Sequence, residues 1–331
     1  MLYYIQSDVD DPYYNLALEQ HVFDSLDRRH SYFMLWQNRS SVIVGRHQDT
    51  ASEIDSSFLE SHHIIVARRL SGGGAVYHDL GNLNYTFITD CQGLGAFDFT
   101  RFCRPVIQAL AELGVHAETA GRNDMYIDGK KFSGNAQYIK EGRVMHHGTL
   151  MYDTDTDMVK KALTPSEDKV ESRGVRSVRS GVTNIRPYVD GDYTVLEFRD
   201  RVRDYMRREE GMQDRRLLPG DYAAVEELRE AVYSQWSWNY GSSPKHSVHK
   251  RRYVQGCGSI DIYMQLGYGG VLEGVAFRGD YFSTKGTDPL VALLIGHRLE
   301  EGELKASLRD ADIGGSIYGL DADGLIRLML S

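Results

Sequence analysis

Met125-Tyr-Ile-Asp128-Gly129-Lys130-Lys131-Phe132-Ser-Gly-Asn135-Ala-Gln-Tyr-Ile-Lys140-Glu141-Gly142-Arg143-Val-Met-His146-His147-Gly-Thr-Leu150 reads as three strands joined by two tight turns. Asp128-Gly129 is the dipeptide that a two-residue type I′ hairpin turn favours. Glu141-Gly142 gives a second turn, and Val144 to Tyr152 forms the next strand. The sheet is therefore antiparallel or mixed. Alternation puts Lys131 and Ser133 on one face and Lys130 and Phe132 on the other. If Phe132 enters the core, Lys131 stands in a pocket on the opposite face. Both lysines also read as solvated edge charges that guard a sheet against aggregation. His146 and His147 must point to opposite faces, which argues against a shared metal and makes one a packed histidine.

Outward from this stretch the chain alternates short strands and helices. Asp11-Pro12 opens a helix through Leu16, Leu18, Val22 and Leu26. Ser41–Gly45, His63–Ala67 and Asn82–Ile88 read as strands, and Asp55 caps a short helix. Thr100 to Leu113 has helical spacing and stops at Gly114. Helices are expected near 193–209 and 221–235. Gly241-Ser-Ser-Pro-Lys-His-Ser247 is the best linker. Beyond it, strands at 259–266 and 270–278 precede helices at 288–298 and 301–308. The division is then residues 1–245 and a small α+β domain over 246–331, as a chain of 331 residues suggests.

Composition narrows the function. Hydrophobic residues at 41% and charged residues at 26% describe a globular protein, and the net charge of −9 disfavours nucleic acid as a partner. No apolar run suggests a membrane span, and acids follow Met1 where a signal peptide needs basic residues. Three cysteines make neither a disulfide framework nor a zinc site, so the cytoplasm is the expected location. One basic island runs against the acidic balance. Arg173, Arg176, Arg179 and Arg186 span fourteen residues without an acid. That suits a loop closing over an anionic ligand, or a solvated loop.

Arg68-Arg69-Leu-Ser71-Gly72-Gly73-Gly74-Ala75-Val76-Tyr77-His78-Asp79 precedes Asn82. Consecutive glycines let backbone N–H groups face an anion as a nest, and the arginines add fixed positive charge. The run matches neither a P-loop nor a dinucleotide fingerprint. It also reads as a turn between strands.

In order, these segments resemble the lipoate–protein ligases. The Arg-Arg-x-Ser-Gly-Gly-Gly-Ala-Val-Tyr-His-Asp stretch is similar to that family's lipoate-binding loop. Gly121-Arg122-Asn123-Asp124 with Gly129-x-Lys131-Phe-Ser-Gly-Asn-Ala resembles its catalytic lysine strand. His-His-Gly-Thr-Leu resembles the strand after it, and Arg176-Ser-Val-Arg179-Ser-x-Val-Thr-Asn184 its adenylate-binding loop. Trp236 to Pro244 resembles the junction to its accessory C-terminal domain.

The resemblance implies an α+β fold of the biotinyl and lipoyl ligase kind, a mixed or antiparallel central sheet flanked by helices with the small domain appended. It implies Lys131 as the catalytic cation. It places Arg69, Gly73, Gly74, Ala75, Val76, Tyr77, Asn82, Asp124, Lys131, Arg176 and Arg179 at ATP or the lipoyl adenylate. Ser71, Gly72, Gly73, Lys131 and His147 would meet lipoate. No metal ligand set is assigned; Mg²⁺ is expected as MgATP near Asp124. Gly181 stands where the family loop usually has Arg.

The implied activity is formation of lipoyl-AMP from lipoate and ATP, then transfer to a lysine of an acceptor. The acceptors would be lipoyl domains of 2-oxoacid dehydrogenase acyltransferase subunits and the glycine cleavage H protein. Joining a carboxylate to a triphosphate brings like charges together, so such a site needs cations and N–H donors. The alternatives are an octanoyl or lipoyl transferase of the same superfamily, which needs a cysteine thiolate, and a non-catalytic lipoyl-adenylate binder.

Overall fold

The computed structural model describes residues 1–91, 97–121, 123–163, 181–241 and 247–330. Its elements are β1 Leu2–Gln6, α1 Pro12–Ser25, β2 Ser31–Trp36, β3 Ser41–Val44, α2 Thr50–Glu53, α3 Ser56–Ser61, β4 Ile65–Arg68, β5 Val76–His78 and β6 Asn82–Asp90. Next come α4 Phe99–Ala111, β7 Ala117–Ala120, β8 Asp124–Ile127, β9 Lys130–Lys140, β10 Arg143–Met151 and α5 Thr156–Ala162. After residue 181 follow α6 Val195–Glu209, β11 Gln213–Asp214, α7 Pro219–Leu228, α8 Trp236–Asn239 and β12 Val248–Val254. The last are β13 Gly258–Leu266, β14 Leu272–Gly279, α9 Asp288–Leu294, α10 Glu301–Ser307, α11 Ile313–Ser316 and α12 Ala322–Leu330.

The expected α+β architecture is present. One eight-stranded sheet has the order β11-β1-β2-β6-β10-β9-β8-β7, and it is mixed because β1 pairs in parallel with both β2 and β11. A second sheet, β4-β3-β5, carries the glycine-rich run at the ends of β4 and β5. A third, β12-β13-β14, belongs to the C-terminal part.

Local chemistry explains the frame. Asp11 caps α1 by accepting from the Tyr13 N–H at 2.8 Å, with Pro12 in the first turn. Asp128 and Gly129 both have positive φ, 49° and 70°, as a type I′ turn requires. Glu141 and Gly142 repeat this at 51° and 73°. β2 went unread because Tyr-Phe-Met-Leu-Trp is a continuous apolar run buried on both faces, without alternation.

The large sheet has a different core on each face. Leu83, Tyr85, Phe87 and Leu150 meet Phe102, Val106 and Leu110 of α4 and Phe198 and Val202 of α6. Tyr32, Met34, Ile88 and Met145 meet Leu16, Leu18 and Val22 of α1. The C-terminal sheet packs Ile260, Ile262 and Phe277 against α9 to α12 in a core of its own. Residues 242–246, most of the expected linker, lie outside the described residues.

One strand-face expectation is corrected. The β8–β9 register shifts between Met125 and Tyr126: Tyr126 faces Lys131, and Met125 faces Ser133. Phe132 is the extra residue of a bulge. Ser133 is thereby returned to the buried Phe132 side, while Lys131 keeps the opposite face. Plain alternation had grouped Ser133 with Lys131.

Candidate active site

The arginine pair at the end of β4 holds backbone. Arg68 donates to the carbonyls of Gly45, Gln48, Trp238 and Asn239 at 2.8–3.0 Å. Arg69 uses four of its five N–H donors: Nε on Ser71 Oγ at 3.0 Å, Nη1 on the Ile43 carbonyl at 3.0 Å, and Nη2 on the Gly72 and Gly74 carbonyls at 2.7 and 2.9 Å. Burial pulls both guanidinium groups down, each to about 10. The buried cation thus gathers the Gly72 and Gly74 carbonyls, and Gly73 between them has φ 91°.

Ser71 links the loop to the large sheet. Its Oγ lies 2.6 Å from His147 Nε2. His147 Nδ1 lies 3.0 Å from Glu19 Oε1, and Glu19 accepts from Thr86 Oγ1 at 2.6 Å. Trp36 Nε1 donates to the same Thr86 hydroxyl at 2.9 Å. All of these groups are buried. An ionised Glu19 accepts only, so His147 carries its hydrogen on Nδ1 and can accept from Ser71 through Nε2. Glu19 was not singled out from sequence, although a signal existed. It lies three residues from Leu16 and from Val22, on the apolar stripe of α1, where an acid must have a partner.

Lys131 and Asp124 meet on this same face. Lys131 Nζ is 2.8 Å from Asp124 Oδ1, with side chains 35% and 22% exposed, so the pair is reachable. A Cβ at Gly134 would lie 3.4 Å from Lys131 Nζ and 3.8 Å from Asp124 Oδ1, so the amine sits over the space this glycine leaves. The Lys131 backbone is held too. Its N–H donates to the Gly181 carbonyl at 3.3 Å, and its carbonyl accepts from the Thr183 N–H at 2.9 Å. The end of the basic island is thereby laced onto the lysine strand. Gly181 has φ 65°, a conformation glycine adopts at little cost and arginine does not. Arg176 and Arg179 lie outside the described residues, as does Arg122.

The other expected residues fall around this centre. Gly74 and Ala75 are partly exposed beside the loop, Val76 and Tyr77 form β5, and Tyr77 Oη reaches Ser40 at 3.4 Å. Asn82 is fully buried on β6, and its Nδ2 donates to Asn84 Oδ1 at 2.9 Å. That leaves Asn82 Oδ1 and Asn84 Nδ2 without partners, one acceptor and one donor whichever way the amides are turned. His78 is buried on β5, and burial pulls it down to about 3. Lys130 is exposed at the turn.

The C-terminal part also touches the loop, which sequence spacing could not reveal. A Cβ on Gly72 would lie 2.2 Å from the Tyr281 carbonyl, and one on Gly73 would lie 3.5 Å from the Phe282 ring. Phe282 packs with Phe97 and Phe99, at ring distances of 5.2 and 5.3 Å. His47 stacks on Tyr281 at 4.7 Å, and its carbonyl accepts from the Gly279 N–H at 2.8 Å. Among the described residues, no three His, Cys, Asp or Glu side chains form a metal-holding group, and no helix is long and apolar enough to cross a membrane.

Comparison with known proteins gives a consistent picture. The profile for the lipoyl protein ligase A/B catalytic domain matches residues 11–207, and that for the bacterial lipoate protein ligase C-terminus matches residues 243–329. The chain is 39% identical over 317 residues to the lipoate-protein ligase LplJ of Bacillus subtilis, covering 95% of each chain. It is 36% identical over 330 residues to lipoate–protein ligase 1 of Staphylococcus aureus, covering 99% of this chain and 100% of that one. The fold matches Plasmodium falciparum LipL1 in complex with lipoate at a TM-score of 0.80 and 18% identity, over 100% and 99% of the two chains. A bipartite lipoate protein ligase from Thermoplasma acidophilum, described with its E2 lipoyl domain, matches at 0.63 and 26% identity over 75% and 98%. A lipoate-protein ligase A bound with ATP matches at 0.60 and 25% identity over 72% and 98%.

Proposed function

The chain belongs to the lipoate–protein ligase family, and on that premise we propose that it forms lipoyl-AMP from lipoate and ATP and then passes the lipoyl group to a lysine of an acceptor lipoyl domain. The observation that carries this reading is the Lys131–Asp124 pair, 2.8 Å apart and partly exposed, on the sheet face to which Ser71 of the glycine loop is bonded.

In the first step a lipoate carboxylate oxygen attacks the α-phosphorus, and the bond to the pyrophosphate oxygen breaks. Negative charge gathers on the α-phosphate, where Lys131 Nζ and the backbone N–H groups of Gly73 to Ala75 stabilise it. Asp124 holds the amine in place. Arg69 shapes the loop and adds long-range positive charge. In the second step the acceptor amine attacks the lipoyl carbonyl carbon and loses a proton, and AMP leaves. Asp124 is the residue assigned to Mg²⁺ carried as MgATP; its carboxylate would hold the ion, which would neutralise pyrophosphate charge. Ser71, Gly72 and His147 are assigned to lipoate. Arg176 and Arg179 are assigned to the adenylate.

The acceptors are acyltransferase-subunit lipoyl domains and the glycine cleavage H protein. We divide the chain at 245/246, supported by the separate apolar core of the C-terminal part. The cytoplasmic setting is supported by three cysteines that form no disulfide, Cys91, Cys103 and Cys257. The transferase alternative fits less well. Burial pushes the Cys103 thiol up to about 11 and raises Cys91, and Cys257 lies in the C-terminal core.

Lipoate-dependent ATP–pyrophosphate exchange tests the reading, with octanoate as the comparison acid. Exchange with lipoate is expected, followed by mass gain on an apo lipoyl domain. No exchange, together with acyl transfer from an octanoyl carrier protein, overturns it.

A further inference from the structure

The face of the sheet away from the site holds a buried chain of hydrogen bonds whose direction is fixed. Gln137 Nε2 donates one hydrogen to the Asp98 carbonyl at 2.8 Å. Its other hydrogen faces His146 Nδ1 at 3.0 Å, so that ring nitrogen accepts. His146 then carries its hydrogen on Nε2 and donates to Tyr85 Oη at 3.2 Å. Tyr85 turns its own hydrogen onward to Asn135 Oδ1 at 2.5 Å, much nearer than the Cys103 sulfur at 3.7 Å. Asn135 Nδ2 donates to the Asn123 carbonyl at 3.0 Å, beside the Asn135 N–H at 2.9 Å. The Asn123 side chain returns a bond to the Asn135 carbonyl.

Asn123 directly precedes Asp124. Three hydrogen bonds between Asn135 and Asn123 therefore fix the backbone from which the Asp124 carboxylate reaches across to Lys131. The chain has room because residue 148 is glycine. A Cβ there would lie 2.1 Å from Asn135 Oδ1 and 2.6 Å from the Tyr85 ring. The catalytic reading uses none of these side chains.

We propose that Tyr85 is a positioning residue for Lys131: the chain Gln137–His146–Tyr85–Asn135 locks Asn123 and so keeps the Asp124 carboxylate against the Lys131 amine. It rests on the assignment of Lys131 to the reacting phosphate only for its kinetic consequence. The geometric consequence is independent of that assignment.

Tyr85→Phe keeps the ring and removes the hydroxyl that joins His146 to Asn135. In protein carrying isotope-labelled lysine, the Lys131 side-chain NMR signal, identified by its loss in Lys131→Arg, should move while that of Lys130 stays. The kcat of lipoate-dependent exchange should fall about 10-fold with KM for lipoate within about twofold, as the loss of one buried hydrogen bond predicts. In an Asp124→Asn background the same substitution should cost little more, because its route is already cut. A folded Tyr85→Phe with an unmoved Lys131 signal overturns the proposal, as does an equal fall in both backgrounds. A moved signal with unchanged kcat upholds the relay and overturns the catalytic assignment of Lys131 instead. Should Tyr85→Phe fail to fold, Gln137→Leu cuts the far end of the chain. It should move the same signal by less, and no movement overturns the proposal.

Discussion

His146 and His147 are neighbours on one strand and face opposite chemistry. His147 looks toward the glycine loop, between a glutamate and a serine, on the face where Lys131 and Asp124 stand partly open. His146 looks toward α4, stacked on Phe102 at 5.0 Å, in a chain that ends on backbone carbonyls. One face carries charge and unpaired amide groups, as at Asn82 and Asn84. The other is neutral and directional, and burial holds His146 well below the usual imidazole range. The difference separates groups that meet a ligand from groups that hold them in place. A ligand site needs polar groups without protein partners, whereas its support needs every partner satisfied.

The comparison breaks most visibly at Lys131. Lys131→Ala should lower lipoate-dependent exchange by about 10²–10³ with thermal unfolding little changed, since the side chain is partly exposed and paired with one carboxylate. Lys130→Ala should leave exchange within about twofold, because an exposed residue beside a turn carries little energy. Equal losses would mean that the two faces are not distinct. On the closed face, Gly148→Ala should act through the fold. Its methyl group would displace Asn135 from Tyr85, at the upper end of the roughly 1–3 kcal/mol usual for overpacking. The midpoint of urea unfolding reads it.

Acid should expose the buried imidazoles next. His78 titrates near 6.5 when unfolded but only at about 3 when folded, because burial opposes its charge. The folded state then binds fewer protons, so this support is complete above pH 6.5 and fades as pH falls toward 3. At pH 5 the loss is roughly 2 kcal/mol for such a histidine. Comparing unfolding midpoints at pH 7.5 and 5 checks this, and His78→Asn should remove that share of the drop.

Local signals made most of the site's frame legible. Asp128-Gly129 located the hairpin, Asp11-Pro12 and Gly114 marked helix ends, and the glycine run marked the loop. What stayed hidden depends on contacts far apart in the chain. Sequence could not show that Arg68 and Arg69 face carbonyls, because an arginine that gathers backbone looks like one that binds phosphate. Nor could it show the bulge at Phe132, which follows from register, or the approach of Tyr281 to Gly72 across some two hundred residues. The β2 strand hid because burial on both faces erases alternation.

The smallest effect is the sharpest probe of the open face. Gly134 and Gly148 sit on neighbouring strands, and each leaves space for a polar group on its own face. The surroundings differ. A Cβ at Gly134 would meet Lys131 Nζ at 3.4 Å and its Cε at 3.5 Å, ordinary contact with the end of a flexible side chain. Gly134→Ala should therefore cost less than about 1 kcal/mol of stability, and the same exchange in a strand removes some backbone freedom from the unfolded chain. Yet the methyl would fill the space now open against the lysine amine, 3.4 Å from Nζ, and narrow the room for a ligand there. Exchange should fall several-fold at unchanged unfolding midpoint, the reverse of the Gly148→Ala pattern. If Gly134→Ala instead lowered the midpoint and spared exchange, the open face would be structural support as well, and the division between the two histidines would fail.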